Sequence, residues 1–299
     1  MKLQTCLLQN KILWDHLYAP DIEKFYEHQT TPWAQGGSSD VFLLSDNRLC
    51  KREKLYAAPS PYNNDTFYQK GHKMFYIKES FLLEALIMET LHRISPIIPK
   101  VYNYKFGQRK DGTWVSVLIM EKIDGDNYPP TPFNMDVMTS LWVPFFKNLN
   151  KLYHDYSFIH GDLIFRNMKI QHGKLVLIDF GLSSMTINNI FFCRYHSFKR
   201  CIEQFLSDDI MITQMNNTIP KRDCHDIIQF VQEHRQGVDV CALLGRFMNK
   251  LPSPIVKILH SCIGGRTYKP QSTTMAHQPF PMSYSREVIT YDQIITLLS

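Results

Sequence analysis

No Cys-x-x-Cys pair occurs among the seven cysteines, Cys6, Cys50, Cys193, Cys201, Cys224, Cys241 and Cys262, which are odd in number and scattered. That argues against a disulfide framework and favours reduced thiols in a cytoplasmic setting. Cys193-Arg-Tyr-His196 and Cys224-His225 offer zinc-like pairs, but isolated buried or surface cysteines are the plainer reading. A long apolar run is also missing. Leu7 and Leu8 are soon followed by Lys11 and Asp15, so neither a signal-peptide core nor a membrane span is expected. A strong excess of one charge sign is missing: the formal balance of +5 permits an anionic partner without indicating nucleic acid. Repeats and low-complexity tracts are absent as well. What is present is 299 residues, 44% hydrophobic and 13% aromatic, enough for one large core or two modest ones.

The most informative stretch runs from Ile159 to Ser183. Met168 to Ile170 and Leu175 to Ile178 are short apolar runs separated by Gln171-His172-Gly173-Lys174, the pattern of a β-hairpin. A hairpin returns its outer ends to one place, so Asn167 and Asp179 should meet, with Asp162 a tight turn upstream. Two carboxylates and an amide oxygen there would suit a hard cation such as magnesium carried on a nucleotide's phosphates.

His160-Gly161-Asp162, Asn167 and Asp179-Phe180-Gly181, in this order and spacing, resemble the catalytic and metal-binding loops of the protein-kinase-like superfamily. The His-Gly-Asp form, followed by Asp-Phe-Gly-Leu-Ser, is most similar to the small atypical kinases, above all the KEOPS-complex kinase and the Rio type. The resemblance implies an α+β, two-lobed protein-kinase-like fold, with an antiparallel sheet and one inner helix in the N-lobe and a mainly helical C-lobe. It implies ATP and Mg2+ as cofactors, with Asn167 and Asp179 on the metal. Asp162 is then the group that orients the attacking hydroxyl, and His160 packs structurally under Phe180. Gly161 stands where many kinases have an arginine that senses activation-loop phosphorylation, so activity without that switch is expected. Ile164 stands where many have a lysine for the γ-phosphate. Arg166 could supply that charge or be an ordinary surface side chain.

Upstream, Ala34-Gln35-Gly36-Gly37-Ser38-Ser39-Asp40-Val41 leads into an apolar run and a Ser45-Asp46-Asn47 turn before Cys50 and Lys51. This resembles a thinned phosphate-covering loop, with Gly36, Gly37 and Val41 against the nucleotide and Lys51 on its α- and β-phosphates. A lysine at the end of an apolar strand needs a carboxylate partner. Phe75 to His92, apolar nearly all round, reads as an inner helix; Glu84 best matches the pairing glutamate, with Glu79 and Glu89 as alternatives. Between them, Tyr56 to Lys73 reads as an exposed loop. Lys100 to Tyr104 and Trp114 to Met120 read as strands around a 109–113 turn. By resemblance Met120 guards the back of the adenine pocket, and the backbones of Glu121 and Ile123 meet the adenine edge.

Asn127 to Asn134, with three prolines, reads as the link between lobes, and Met138 to Leu152 as an amphipathic helix. No Ala-Pro-Glu follows Gly181. A helix near Phe198 to Phe205, with Arg194, Lys199 and Arg200 close by, is expected in an insertion at about 182–236. Gly237-Val238-Asp239 resembles the helix start whose aspartate braces the catalytic loop. A short helix at Leu251 to Cys262, an irregular strap at Pro270 to Ser285 and a last helix at Glu287 to Leu298 complete the chain. The expected division is a helical extension at 1–32, an N-lobe at 33–125 and a C-lobe at 126–299. The expected function is a serine/threonine protein kinase with a protein substrate, a regulatory protein partner left open, and no membrane. A small-molecule phosphotransferase and an inactive scaffold are the alternatives.

Overall fold

The computed structural model describes residues 17–25, 31–35, 39–55, 66–69, 72–77, 80–188, 190–194, 236–237, 239–262 and 289–299. Within them the chain is α+β and two-lobed. The front lobe is built on a five-stranded antiparallel sheet in the order β1-β2-β3-β7-β6. Its strands are β1 (Ala34–Gln35), β2 (Ser39–Leu43), β3 (Arg48–Leu55), β6 (Val101–Gln108) and β7 (Trp114–Glu121). Register decides what each face carries. Val41 pairs with Lys51 and Lys51 with Leu118, so these three share the inner face; Phe42, Cys50 and Ile119, one residue on, share the outer face.

Behind the inner face lies α1 (Ser80–Leu91). Phe81, Leu82, Leu83, Ala85, Leu86, Ile87, Met88 and Leu91 are all buried, which is why the helix is apolar around its whole circumference. Glu84 is the one acid buried with them. On the outer face a smaller core of Phe42, Cys50, Val115, Val117 and Ile119 is covered by Ala19 and Ile22.

The expected amphipathic helix over the first thirty residues lies mostly outside the described residues. The described part is different: Tyr18 bridges Phe106 on the sheet edge, Ala19 N–H donates to Phe106 O, and Ile22–Phe25 forms one 3-10 turn. Pro20 interrupts the helical pattern there. Gly107 is what lets this strap lie flat, because a Cβ at that position would sit 2.3 Å from Ala19 O and 2.7 Å from Ile22 Cβ.

A second correction concerns 56–73, expected as a loop. Residues 56–65 are outside the described set, but β4 (Thr66–Gln69) and β5 (His72–Ile77) form an antiparallel hairpin. The strand runs on to Ile77, so α1 begins at Ser80 rather than near Phe75. The second partner of β5 is distant in sequence. After the Asp-Phe-Gly triplet the chain forms β11 (Ser184–Ile187) and β12 (Ile190–Arg194), and β12 pairs in parallel with β5, giving the sheet β11-β12-β5-β4.

The second lobe centres on α2 (Met135–Tyr156), whose Met138, Leu141, Trp142, Phe145, Phe146, Leu149 and Leu152 form the buried stripe that their spacing demands. Asn134 caps its first turn, accepting from Asp136 N–H at 2.8 Å. Residues 236–237 and 239–244 are helical, followed by α3 (Ser253–Cys262) and α4 (Tyr291–Leu298), the last capped by Thr290 and Gln293. The strap at 270–285 and the helix expected near Phe198 to Phe205 lie outside the described residues. Among the described residues, no helix is long and apolar enough to cross a membrane. Cys50, Cys193 and Cys241 are buried.

Candidate active site

Between the lobes, β9 (Met168–Gln171) and β10 (Lys174–Leu177) form the hairpin, turned by His172 and Gly173, both at positive φ. The backbone bond from Ile178 N–H to Asn167 O, 2.9 Å, closes its open end and sets Asn167 beside the residue preceding Asp179. A short strand, β8 (Asp126–Asn127), adds to the other side of β9 and carries the interlobe link along the hairpin.

Lys51 spans the cleft. Its Nζ lies 2.8 and 2.9 Å from the two carboxylate oxygens of Glu84 and 3.0 Å from Asp179 Oδ1. Glu84 Oε1 also accepts Phe180 N–H at 2.9 Å, so one buried carboxylate ties the strand lysine, the inner helix and the Asp-Phe-Gly turn together. Of the three helix acids considered, Glu84 is the one in contact with Lys51; Glu89 instead accepts from the Tyr104 hydroxyl at 3.1 Å, and Glu79 lies outside the described residues. Asp179 sits at φ +64, in the left-handed region, which turns its carboxylate back toward Lys51.

The charges settle unequally over this triad. Burial works to lower the Lys51 pKa, but the Glu84 and Asp179 charges outweigh it and the ammonium is raised above its ordinary value. Burial raises Glu84, against the pull of Lys51. For Asp179 burial also acts upward, but the Lys51 charge overrules it and holds the carboxyl well below the usual range. The site therefore keeps a fixed ammonium and, facing the cleft with its side chain half exposed, a firmly ionised carboxylate.

On the far wall, Asn167 Nδ2 donates to the backbone oxygen of Asp162 at 2.9 Å and to its carboxylate at 2.8 Å, which leaves the amide oxygen as the end available to a cation. Arg166 Nη2 is 3.9 Å from the same carboxylate, with half its side chain exposed. His160 is fully occupied: its Nε2 bonds Ile178 O at 3.2 Å and its Nδ1 accepts Asp162 N–H at 3.3 Å, while its ring meets Phe180 edge-on at 5.3 Å. Those two bonds require the neutral Nε2–H tautomer. Gly161, at φ +78, makes the turn between His160 and Asp162 that a side chain would strain. Asp239 is buried and accepts His160 N–H at 3.0 Å and Gly161 N–H at 3.0 Å.

The adenine side is less complete. Val41 and Lys51 share the sheet's inner face, with Met120 on that same face of β7 two residues beyond Leu118. Glu121 N–H is committed to Lys100 O at 2.8 Å, so its carbonyl is the group left for a base edge. Ile123 is buried just beyond. Gly36 and Gly37 lie outside the described residues.

The donor set fits a hard divalent ion: Asp162, Asn167 and Asp179 offer oxygens only, with His160 engaged elsewhere. Among the described residues no three or more His, Cys, Asp or Glu cluster as a metal centre. Sequence reasoning passed over Tyr291, whose hydroxyl reaches Asp239 at 3.2 Å; a lone tyrosine 129 residues beyond Asp162 carries no local signal of that contact.

A family model for the RIO domain (RIO1) matches residues 62–190. The match supports an atypical protein-kinase-like fold and, in general terms, a kinase-like function that uses ATP. It spans Glu84, His160, Asp162, Asn167 and Asp179, while Lys51 and Asp239 come from outside it. No curated protein matches the chain.

Proposed function

We propose that the protein is an ATP- and Mg-dependent serine/threonine protein kinase of the RIO type, transferring the γ-phosphoryl group to a protein hydroxyl. The observation that carries this reading is that the Lys51–Glu84–Asp179 triad and the Asp162–Asn167 pair meet at the open end of one hairpin, which the Ile178–Asn167 backbone bond closes. Residues 33–125 then form the nucleotide-holding lobe and 126–299 the catalytic lobe, with an insertion at about 182–236. Mg2+, held by Asn167 and Asp179, would neutralise phosphate charge where the transferring group departs.

Every other task falls to side chains. Lys51, fixed by Glu84, places a positive charge against the phosphates. Asp162, steered by the Asn167 amide, orients the acceptor hydroxyl and takes up its proton. Arg166 stands at the cleft edge where a cation would meet the γ-phosphoryl group. Val41, Met120 and the carbonyl of Glu121 surround the base. Phosphoryl transfer asks mainly for positioning and charge, and those are what this arrangement supplies. The substrate is a protein, and the scattered thiols favour a cytoplasmic setting.

The test is incubation of the purified protein with γ-labelled ATP, Mg2+ and a mixture of proteins, beside Asp162→Asn. Loss of the proton acceptor should lower labelling about 10²–10⁴-fold. Equal labelling by both proteins would remove the assignment. Label appearing only in small hydroxylated compounds would move the activity to another acceptor class.

A further inference from the structure

We propose that Tyr291, on the helix at the far end of the sequence, is a positioning residue for the catalytic loop. It acts through Asp239 on the backbone that presents Asp162. The kinetic half of this proposal rests on the phosphotransfer reading above; the structural half does not.

Asp239 is fully buried and holds the loop by two backbone amides, those of His160 and Gly161. Both amides lie within reach of the same carboxylate oxygen, Oδ2, at 3.0 and 3.1 Å. The Tyr291 hydroxyl donates to that oxygen as well, at 3.2 Å. The Tyr291 hydroxyl is a donor set on a different element, and it adds to what holds that oxygen in place. What it holds is the Gly161 turn at φ +78, the residue immediately before Asp162.

Tyr291 is itself anchored on several sides. Its backbone N–H donates to the buried Gln236 side chain at 3.2 Å, three residues before Asp239, so one residue of α4 spans that helical turn. Its ring lies 6.1 Å from Phe146 and 6.3 Å from Tyr153 on α2. Asn150 Nδ2 reaches Asp292 at 2.7 Å, pinning the next residue to the same helix. A phenylalanine would pack equally well between those rings, so packing does not account for the hydroxyl, which the contact with Asp239 uses.

The experiment compares the full chain with Tyr291→Phe and with Leu298→Ala. The second variant removes packing from α4, where Leu298 is buried, without touching the Asp239 contact. Hydrogen exchange of the amides of His160 and Gly161 is the first readout and needs no substrate. The low end of a hydrogen bond to a charged group predicts about 10-fold faster exchange in Tyr291→Phe. The second readout is steady-state transfer: kcat should fall about 10-fold in Tyr291→Phe with the KM for ATP unchanged. Leu298→Ala should lower the melting point while leaving kcat and the loop's exchange as in the wild type. Exchange and kcat of Tyr291→Phe within twofold of the wild type would overturn the proposal. So would a matching loss in Leu298→Ala, because the effect would then be one of general stability. Faster exchange in a protein that transfers no phosphoryl group would uphold the positioning contact and refute the assigned activity instead.

Discussion

Glu84→Gln is the most informative single substitution, because it changes one atom of a buried carboxylate that serves three bonds. Both oxygens accept from Lys51, and Oε1 also takes Phe180 N–H. A glutamine can keep its oxygen on Phe180, but its Nε2 then faces the Lys51 ammonium, donor against donor. Breaking a buried ion pair from one side typically costs about 3–5 kcal/mol. Lys51 keeps Asp179 at 3.0 Å, so the lower end, about 3 kcal/mol, is expected. For a protein of this size that lowers the melting point by roughly 5 °C.

The decisive assay is a double-mutant cycle of urea denaturations with Lys51→Met, Glu84→Gln and both together. Removing the lysine first leaves Glu84 nothing to lose there, so the double variant should be more stable than the sum of the singles by about 2–3 kcal/mol. Glu89→Gln, at a residue that accepts from a tyrosine hydroxyl and does not bond Lys51, serves as the control and should cost under about 1.5 kcal/mol. Additivity of Lys51→Met and Glu84→Gln to within about 0.5 kcal/mol would refute the coupling.

Other outcomes are expected elsewhere in the front lobe. Gly107→Ala would push a Cβ into Ala19 O and Ile22, so it should cost about 1–3 kcal/mol and speed proteolysis within residues 17–25 while the sheet stays protected. Burial raises the pKa of Cys50, whose residue is 0% exposed, against the pull of Arg52. A thiol reagent at pH 8 should therefore leave Cys50 unmodified in the folded protein and label it only after denaturant is added, as read by peptide mass spectrometry.

Much of this arrangement can be read directly from the chain. The apolar circumference of α1 identifies an inner helix, and the hairpin between Met168 and Leu177 has to return Asn167 to the neighbourhood of Asp179, because a two-residue turn leaves no other path. The need of a strand lysine for a carboxylate points to α1, where Glu84 is the best match of three acids and is the one found on Lys51. What stays hidden is what depends on distant partners. Tyr56 to Lys73 reads as a loop and Phe75 onward as helix, yet 66–69 and 72–77 are strands, and the second partner of β5, β12, lies more than a hundred residues away. Tyr291 gives no clue until Asp239 is seen beneath its hydroxyl. The N-terminal strap, with Leu17, Ala19 and Ile22 buried, reads as helix by spacing, yet a proline and an available sheet edge decide otherwise.

The parallel ladder between β5 and β12 has a mechanical consequence. α1 starts three residues past the end of β5, while β12 follows the Asp-Phe-Gly triplet by nine, so five consecutive register pairs suture the inner helix to the segment that kinases commonly leave loose. Swinging α1 outward, the ordinary way to uncouple its glutamate from the lysine, would require unzipping that seam at about 1 kcal/mol for each hydrogen bond lost. The position of α1 is thus tied, through β5, to the segment that follows the Asp-Phe-Gly triplet.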